Sequence, residues 1–209
     1  MSTWKLSRHH EASATALRVT PVVSMAVEGA RLAHVVGCFG CHGDSLTGRL
    51  FVEQFLVGRL SAPNLTRIVP HYTDQQIVDV IRSGVRSDGT GVVFMPSHTF
   101  VRLADADIAA IVAYLRTLES RPDAAQDASF GLLPRALIVA GLMPIEPDVV
   151  DRGQVGPAMR PCRCRGAGPV RGETVCAICH GGDLRGDKQM QSPNLFAITP
   201  AYSRPTSRH

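Results

Sequence analysis

Aromatic side chains are scarce in this chain: one Trp, three Tyr and seven Phe, about 5% of 209 residues. A small domain with so few large rings has a thin core and must draw apolar surface from another source. Long apolar runs are also missing. The stretch from Ala136 to Ile145 contains Gly141 and Pro144 and is too short to cross a bilayer. No clear signal peptide reads at the start, because Arg18 and Pro21 interrupt the apolar stretch from Ala12 to Val27. The net charge of +4 is mild, so no nucleic-acid partner is expected. Nor does any Ser/His/Asp or paired-carboxylate pattern ask for acid–base catalysis.

What the chain does have is two copies of Cys-x-x-Cys-His: Cys38-Phe-Gly-Cys41-His42 and Cys176-Ala-Ile-Cys179-His180. With 6 Cys and 8 His, chance gives on the order of 0.01 such pentapeptides per chain. The pattern is the attachment signature of a c-type haem. On one helical turn, positions i and i+3 share a face, so both thiols can reach one porphyrin edge. The next residue then turns its imidazole to the iron. A buried haem would also supply the apolar surface that the aromatics do not. The expectation is haem c at Cys38, Cys41 and His42, with a second at Cys176, Cys179 and His180.

The repeat extends past the pentapeptides. Gly43, Leu46, Gly48, Pro63-Asn64-Leu65, Ile68, Pro70 and Tyr72 recur in order as Gly181, Leu184, Gly186, Pro193-Asn194-Leu195, Ile198, Pro200 and Tyr202. Only the first copy has flanks. Met25, Gly29, Leu32 and Val36 follow helical spacing ahead of it. Thr73 with Gln76 reads as a capping box for a helix through Ile77 and Ile81 that stops at Gly84. Asp105 is expected to cap a last helix whose apolar stripe is Ile108, Ile111, Val112, Leu115 and Leu118. The second copy is preceded by an Arg/Gly/Pro-rich stretch, 160–171, and has no counterpart of residues 74–118. It reads as a domain cut short. The expected organisation is an N-terminal segment 1–24, disordered or a partial targeting region; a domain at 25–120; a linker at 121–172; and a partial second motif at 173–209.

For the sixth iron ligand of the first site, Met95 is the choice, in a loop stiffened by Pro96. His71 and His98 are competitors that would give a bis-His site of lower potential. His34 is expected to be solvated, and His9, His10 and His209 lie in terminal segments. The carbonyl of Pro63 could accept the second N–H of the proximal imidazole and so fix its tautomer. Met143, Met159 and Met190 are not expected to be ligands of the second site.

Gly29, Cys38-x-x-Cys41-His42, Pro63-Asn64-Leu65, Met95-Pro96 and Ile111-Val-Ala-Tyr114-Leu115 together resemble a class I cytochrome c domain over about residues 26–118, with a partial echo at 176–203. The tandem layout resembles the mono- and dihaem c-type cytochromes of bacterial respiratory chains. The resemblance implies an all-α, cytochrome c-like fold wrapped around haem, followed by the linker and an incomplete second segment. It further implies a first and last helix crossing with Gly29 against Tyr114, and Met95 as distal ligand. Single-electron transfer would follow, with a dehydrogenase, quinol oxidoreductase or terminal oxidase as redox partner. The location implied is the periplasm or the periplasmic face of the inner membrane, with membrane association through a partner. Other readings stand beside it: a zinc protein using Cys162, Cys164, Cys176 and Cys179, a dithiol protein using the Cys-x-x-Cys motifs, and a non-functional remnant of a dihaem subunit.

Overall fold

The computed structural model describes residues 5–12, 16–17, 19, 22–124 and 126–151. The second Cys-x-x-Cys-His, its Pro193-Asn194-Leu195 echo, Cys162, Cys164, Met159, Met190 and His209 lie outside the described residues.

The first helix, α1 (Val23–Val35), buries Gly29, Leu32 and Ala33 and crosses the last long helix, α6 (Asp105–Leu115). Helix α6 buries seven of its eleven residues, Ile108 and Val112 completely. It is therefore a core helix, apolar on more than one side. Gly29 makes the crossing possible. A Cβ built there would lie 1.8 Å from the Ala110 carbonyl oxygen and 2.8 Å from the Tyr114 Cβ. No side chain fits between the two backbones.

After α1 the chain turns through Gly37 (φ 85°) into the single turn α2 (Cys38–His42). A short hairpin follows, β1 (Arg49–Gln54) and β2 (Gly58–Ala62), antiparallel from Arg49 opposite Ala62 to Gln54 opposite Gly58. A bulge between Leu50 and Val52 shifts its register. Strand β3 (Ser129–Phe130) adds to the free edge of β2. The fold is thus helix-rich, as expected, with a small three-stranded sheet added among the described residues. These strands are short, β1 mostly exposed and β2 mostly half-buried, so they lack the clean alternation that makes a strand legible.

Helix α3 (Leu65–Ile68) and a 3-10 turn (Val69–His71) lead to α4 (Asp74–Ser83). Helix α4 starts with the expected capping box: the Thr73 hydroxyl accepts from the Gln76 N–H at 3.2 Å, and the Gln76 amide oxygen accepts from the Thr73 N–H at 2.8 Å. It ends at Gly84 in the left-handed conformation, and the short helix α5 (Ser97–Phe100) comes between it and α6. Asp105, by contrast, is not the cap of α6. The N-cap is Ala104, without a side-chain bond. Asp105 instead pairs with Arg82, whose side chain is almost fully buried and also donates to the Leu103 carbonyl at 3.0 Å.

Two segments expected to stand apart from this domain pack against it. Residues 126–151 form β3, α7 (Leu132–Val139) and α8 (Glu146–Val149), not a bare linker. In the N-terminal segment, Lys5 Nζ donates to the Ile138 and Val139 carbonyls at 3.2 Å each, at the C-terminal end of α7. The His10 N–H donates to the Gly89 carbonyl at 2.9 Å. Residues 5–12 are therefore tied down where disorder was expected. Among the described residues no helix is long and apolar enough to cross a membrane.

Candidate functional site

Cys38, Cys41 and His42 share the one turn of α2. Gly37, in the left-handed conformation, lets the chain break from α1 and re-enter a helix at once. Cys38 is half-buried and Cys41 exposed, and both are free thiols. Phe39, between them in sequence, stacks on His34 with ring centres 3.7 Å apart. A Cβ at Gly40 would meet nothing within 4 Å, so the turn is not crowded by protein atoms at that point.

His42 Nδ1 lies 2.8 Å from the Pro63 carbonyl oxygen. A carbonyl only accepts, so Nδ1 carries the proton and Nε2 presents a lone pair. Burial disfavours the imidazolium and lowers the His42 pKa, although the Pro63 bond pulls the other way. The ring is neutral at pH 7, as an iron ligand must be.

The Pro63 carbonyl is itself held by its neighbour. Asn64 is buried, and its side-chain oxygen accepts from the Thr66 N–H at 2.9 Å and the Thr66 hydroxyl at 2.7 Å. Its amide donates to the Arg121 carbonyl at 2.9 Å and to Asp123 Oδ1 at 3.0 Å. On the other side, the Leu65 N–H donates to the Leu46 carbonyl at 2.9 Å, and the Gly48 N–H to the His42 carbonyl at 3.0 Å. Leu46 takes a left-handed backbone (φ 57°) while almost completely buried. Burying a leucine is worth about 1.5–3 kcal/mol, which exceeds the cost of about 1–2 kcal/mol for one left-handed residue. The recurrence of Asn64 and Leu46 as Asn194 and Leu184 was the available sequence signal for both. The purpose of each, holding the carbonyl and the loop around His42, needed the contacts.

Met95 is half-buried, between exposed Phe94 and Pro96. Its loop is pinned on both sides. The Val92 N–H donates to the Gly84 carbonyl at 2.8 Å, and the Ser97 hydroxyl to the Val80 carbonyl at 3.0 Å. Of the competing histidines, His71 is exposed at the end of the 3-10 turn. His98 has Nδ1 committed to Glu146, 2.9 Å from Oε2. His34 is exposed, stacked on Phe39.

These residues fit a covalently attached haem. Two free thiols and a neutral imidazole with a fixed tautomer stand on one turn, a soft donor set suited to iron and thioether linkage. Residues 26–119 match the family model for Cytochrome c. The chain is 29% identical over 180 residues to the cytochrome c subunit of an alcohol dehydrogenase (quinone) from Komagataeibacter europaeus, covering 79% of this chain and 38% of that protein. The corresponding subunit of Gluconobacter oxydans is 29% identical over 166 residues, covering 72% of this chain and 33% of its own length. The fructose dehydrogenase cytochrome subunit of Gluconobacter japonicus is 29% identical over 98 residues, 43% of this chain and 20% of that one. The chain thus spans well under half the length of these relatives. Residues 26–119 are a cytochrome c domain.

Proposed function

We propose that this domain carries haem c through thioether bonds from Cys38 and Cys41, with His42 and Met95 as the two axial ligands. The observation that carries the reading is the 2.8 Å bond from His42 Nδ1 to the Pro63 carbonyl within a Cys-x-x-Cys-His turn. It fixes the tautomer that frees Nε2 for iron. When bound, the group supplies a reversible one-electron couple, and a His/Met pair raises its potential. The chain's own residues hold the ligands in place: Asn64 anchors the strand of the Pro63 carbonyl, and Pro96 and Ser97 brace the loop of Met95.

The partner in this reading is a primary dehydrogenase. The chain receives single electrons from it and passes them to a quinone-linked or terminal acceptor. The support is the naming of the relatives as cytochrome subunits of alcohol and fructose dehydrogenases. The site of action is the periplasm or the periplasmic face of the inner membrane, with any membrane association made through the partner. Cys176, Cys179 and His180 are proposed as a second attachment site on motif alone. A cytosolic dithiol role is disfavoured at the first motif. Burial pushes the Cys38 thiol up to about 12, whereas a reactive dithiol needs a depressed value.

The test is expression with an export signal in a host that matures c-type cytochromes, followed by haem staining, mass and visible spectrum. One or two haems per chain, the first low-spin, are expected. Met95→Ala should abolish the Met–iron charge-transfer band. A colourless product of unmodified mass would refute the cofactor assignment, and an unchanged band in Met95→Ala would refute the ligand assignment.

A further inference from the structure

The Met95 loop is gripped by a residue far from it in sequence. Glu146, at the start of α8, is buried. Its own N–H donates to the Val92 carbonyl at 2.9 Å. Its carboxylate accepts the His98 backbone N–H at 3.0 Å (Oε2) and faces His98 Nδ1 at 2.9 Å (Oε2) and 3.2 Å (Oε1). Val92 and His98 stand three residues to either side of Met95. One residue therefore ties both stems of the loop.

The packing around this grip is close. A Cβ at Gly91 would lie 2.3 Å from Ile145 Cγ2 and 3.0 Å from Pro147 Cδ, and one at Gly84 would lie 2.6 Å from Glu146 Cβ. Ile145 and Val150, which bound α8, are both buried. A buried carboxylate is tolerated only when it is well hydrogen-bonded, and the bonds that satisfy Glu146 run to the loop. The N-terminal segment adds a second layer, through the ion pair of Arg8 with Asp148 at 3.6 Å.

We infer that Glu146 is a positioning residue for the axial methionine: by fastening Val92 and His98 it fixes where the Met95 sulfur sits and how readily it leaves the iron. The inference rests on the proposal that Met95 is the sixth ligand. Opening of such a loop is a local event, separate from global unfolding. Weakening the grip therefore raises the rate at which an outside ligand replaces the sulfur.

The experiment is stopped-flow displacement of the methionine by imidazole in the oxidised, haem-loaded full chain, followed at the Met–iron charge-transfer band. Glu146→Ala is expected to speed displacement by roughly tenfold or more, since hydrogen bonds to a charged, buried group are the strong ones. Glu146→Gln, which keeps a carbonyl acceptor for the His98 N–H, is expected to fall between it and the wild type. Ile138→Ala serves as the control: it cuts a buried side chain of α7 and lowers stability while leaving in place every hydrogen bond that joins Glu146 to Val92 and His98, and is expected to leave the rate within about twofold of the parent when opening is local. Displacement from Glu146→Ala at the wild-type rate would overturn the inference, as would an equal acceleration in Ile138→Ala. The Met95→Ala arm separates the two claims. A band that survives it removes the ligand assignment, whereas a band lost there with no effect at Glu146 removes only the grip.

Discussion

Gly29→Ala is a sharp perturbation because a single methyl group is aimed at a backbone. The new Cβ would sit 1.8 Å from the Ala110 carbonyl oxygen, so α1 and α6 must separate by roughly 1.5 Å to reach van der Waals contact. A gap of 0.5–1 Å already forfeits about a quarter to a half of each dispersion contact. Leu32 and Ala33 of α1, Val36 just after it, and Ile108, Ile111, Val112 and Leu115 of α6 are all buried, and part of that burial depends on the crossing. Full burial of one such Leu, Ile or Val is worth about 1.5–3 kcal/mol, and loosening several of them loses about 4 kcal/mol. Alanine regains about 1 kcal/mol as the better helix former. The expected net loss is about 3 kcal/mol, a fall in Tm of roughly 6–12 °C for a unit of this size. Urea unfolding of the haem-loaded chain, followed by far-UV circular dichroism, measures it. Tyr114→Ala in the same chain should not rescue the loss, because the nearest obstacle is the Ala110 carbonyl rather than the tyrosine. An unchanged or raised midpoint for Gly29→Ala would refute the close crossing.

Two further substitutions probe the surroundings of the site. Asn64→Ala removes the cap of α3 and both bonds to the 121–123 segment. A loss of about 2–3 kcal/mol is expected, together with a shifted reduction potential as the Pro63 carbonyl loosens; an unshifted potential on cyclic voltammetry would separate capping from positioning. Asp79 is buried, and burial holds its pKa above the ordinary carboxylate value against the opposing Gln75 bond, 2.9 Å away. Between the ordinary value and this raised one, the native state holds more protons than the unfolded state, so stability falls as pH rises through that window. Asp79→Asn should therefore be more stable than the parent at pH 7. The gain should shrink as pH drops through the window, and urea midpoints that differ equally at all pH values would count against the shift.

Much of the site is legible in the linear sequence because it is local. Cys38, Cys41 and His42 lie within one turn, and the capping box of Thr73 and Gln76 spans four residues, so spacing alone carries their geometry. Asp105 shows where such local reasoning fails. It stands where a cap belongs, but the buried Arg82 guanidinium claims its carboxylate and leaves Ala104 as the N-cap. The hairpin escapes a periodicity test because its strands are half-solvated, short and interrupted by a bulge.

The order of the three long helices along residues 22–118, the haem-attachment turn and the recurrence of its surroundings were set by the linear chain, since each depends on neighbours a few residues apart. Tertiary structure alone decided what residues 5–12 and 126–151 do. Their composition is that of a tail and a linker, yet Lys5 of the first is bonded to Ile138 of the second, His10 to Gly89 of the domain, and Glu146 to His98 of the domain. Pairings at such separations leave no periodic trace in sequence. They depend on which backbone groups and apolar faces the folded domain leaves open, and that is known only once the helices have crossed at Gly29 and the Met95 loop has closed over Gly84.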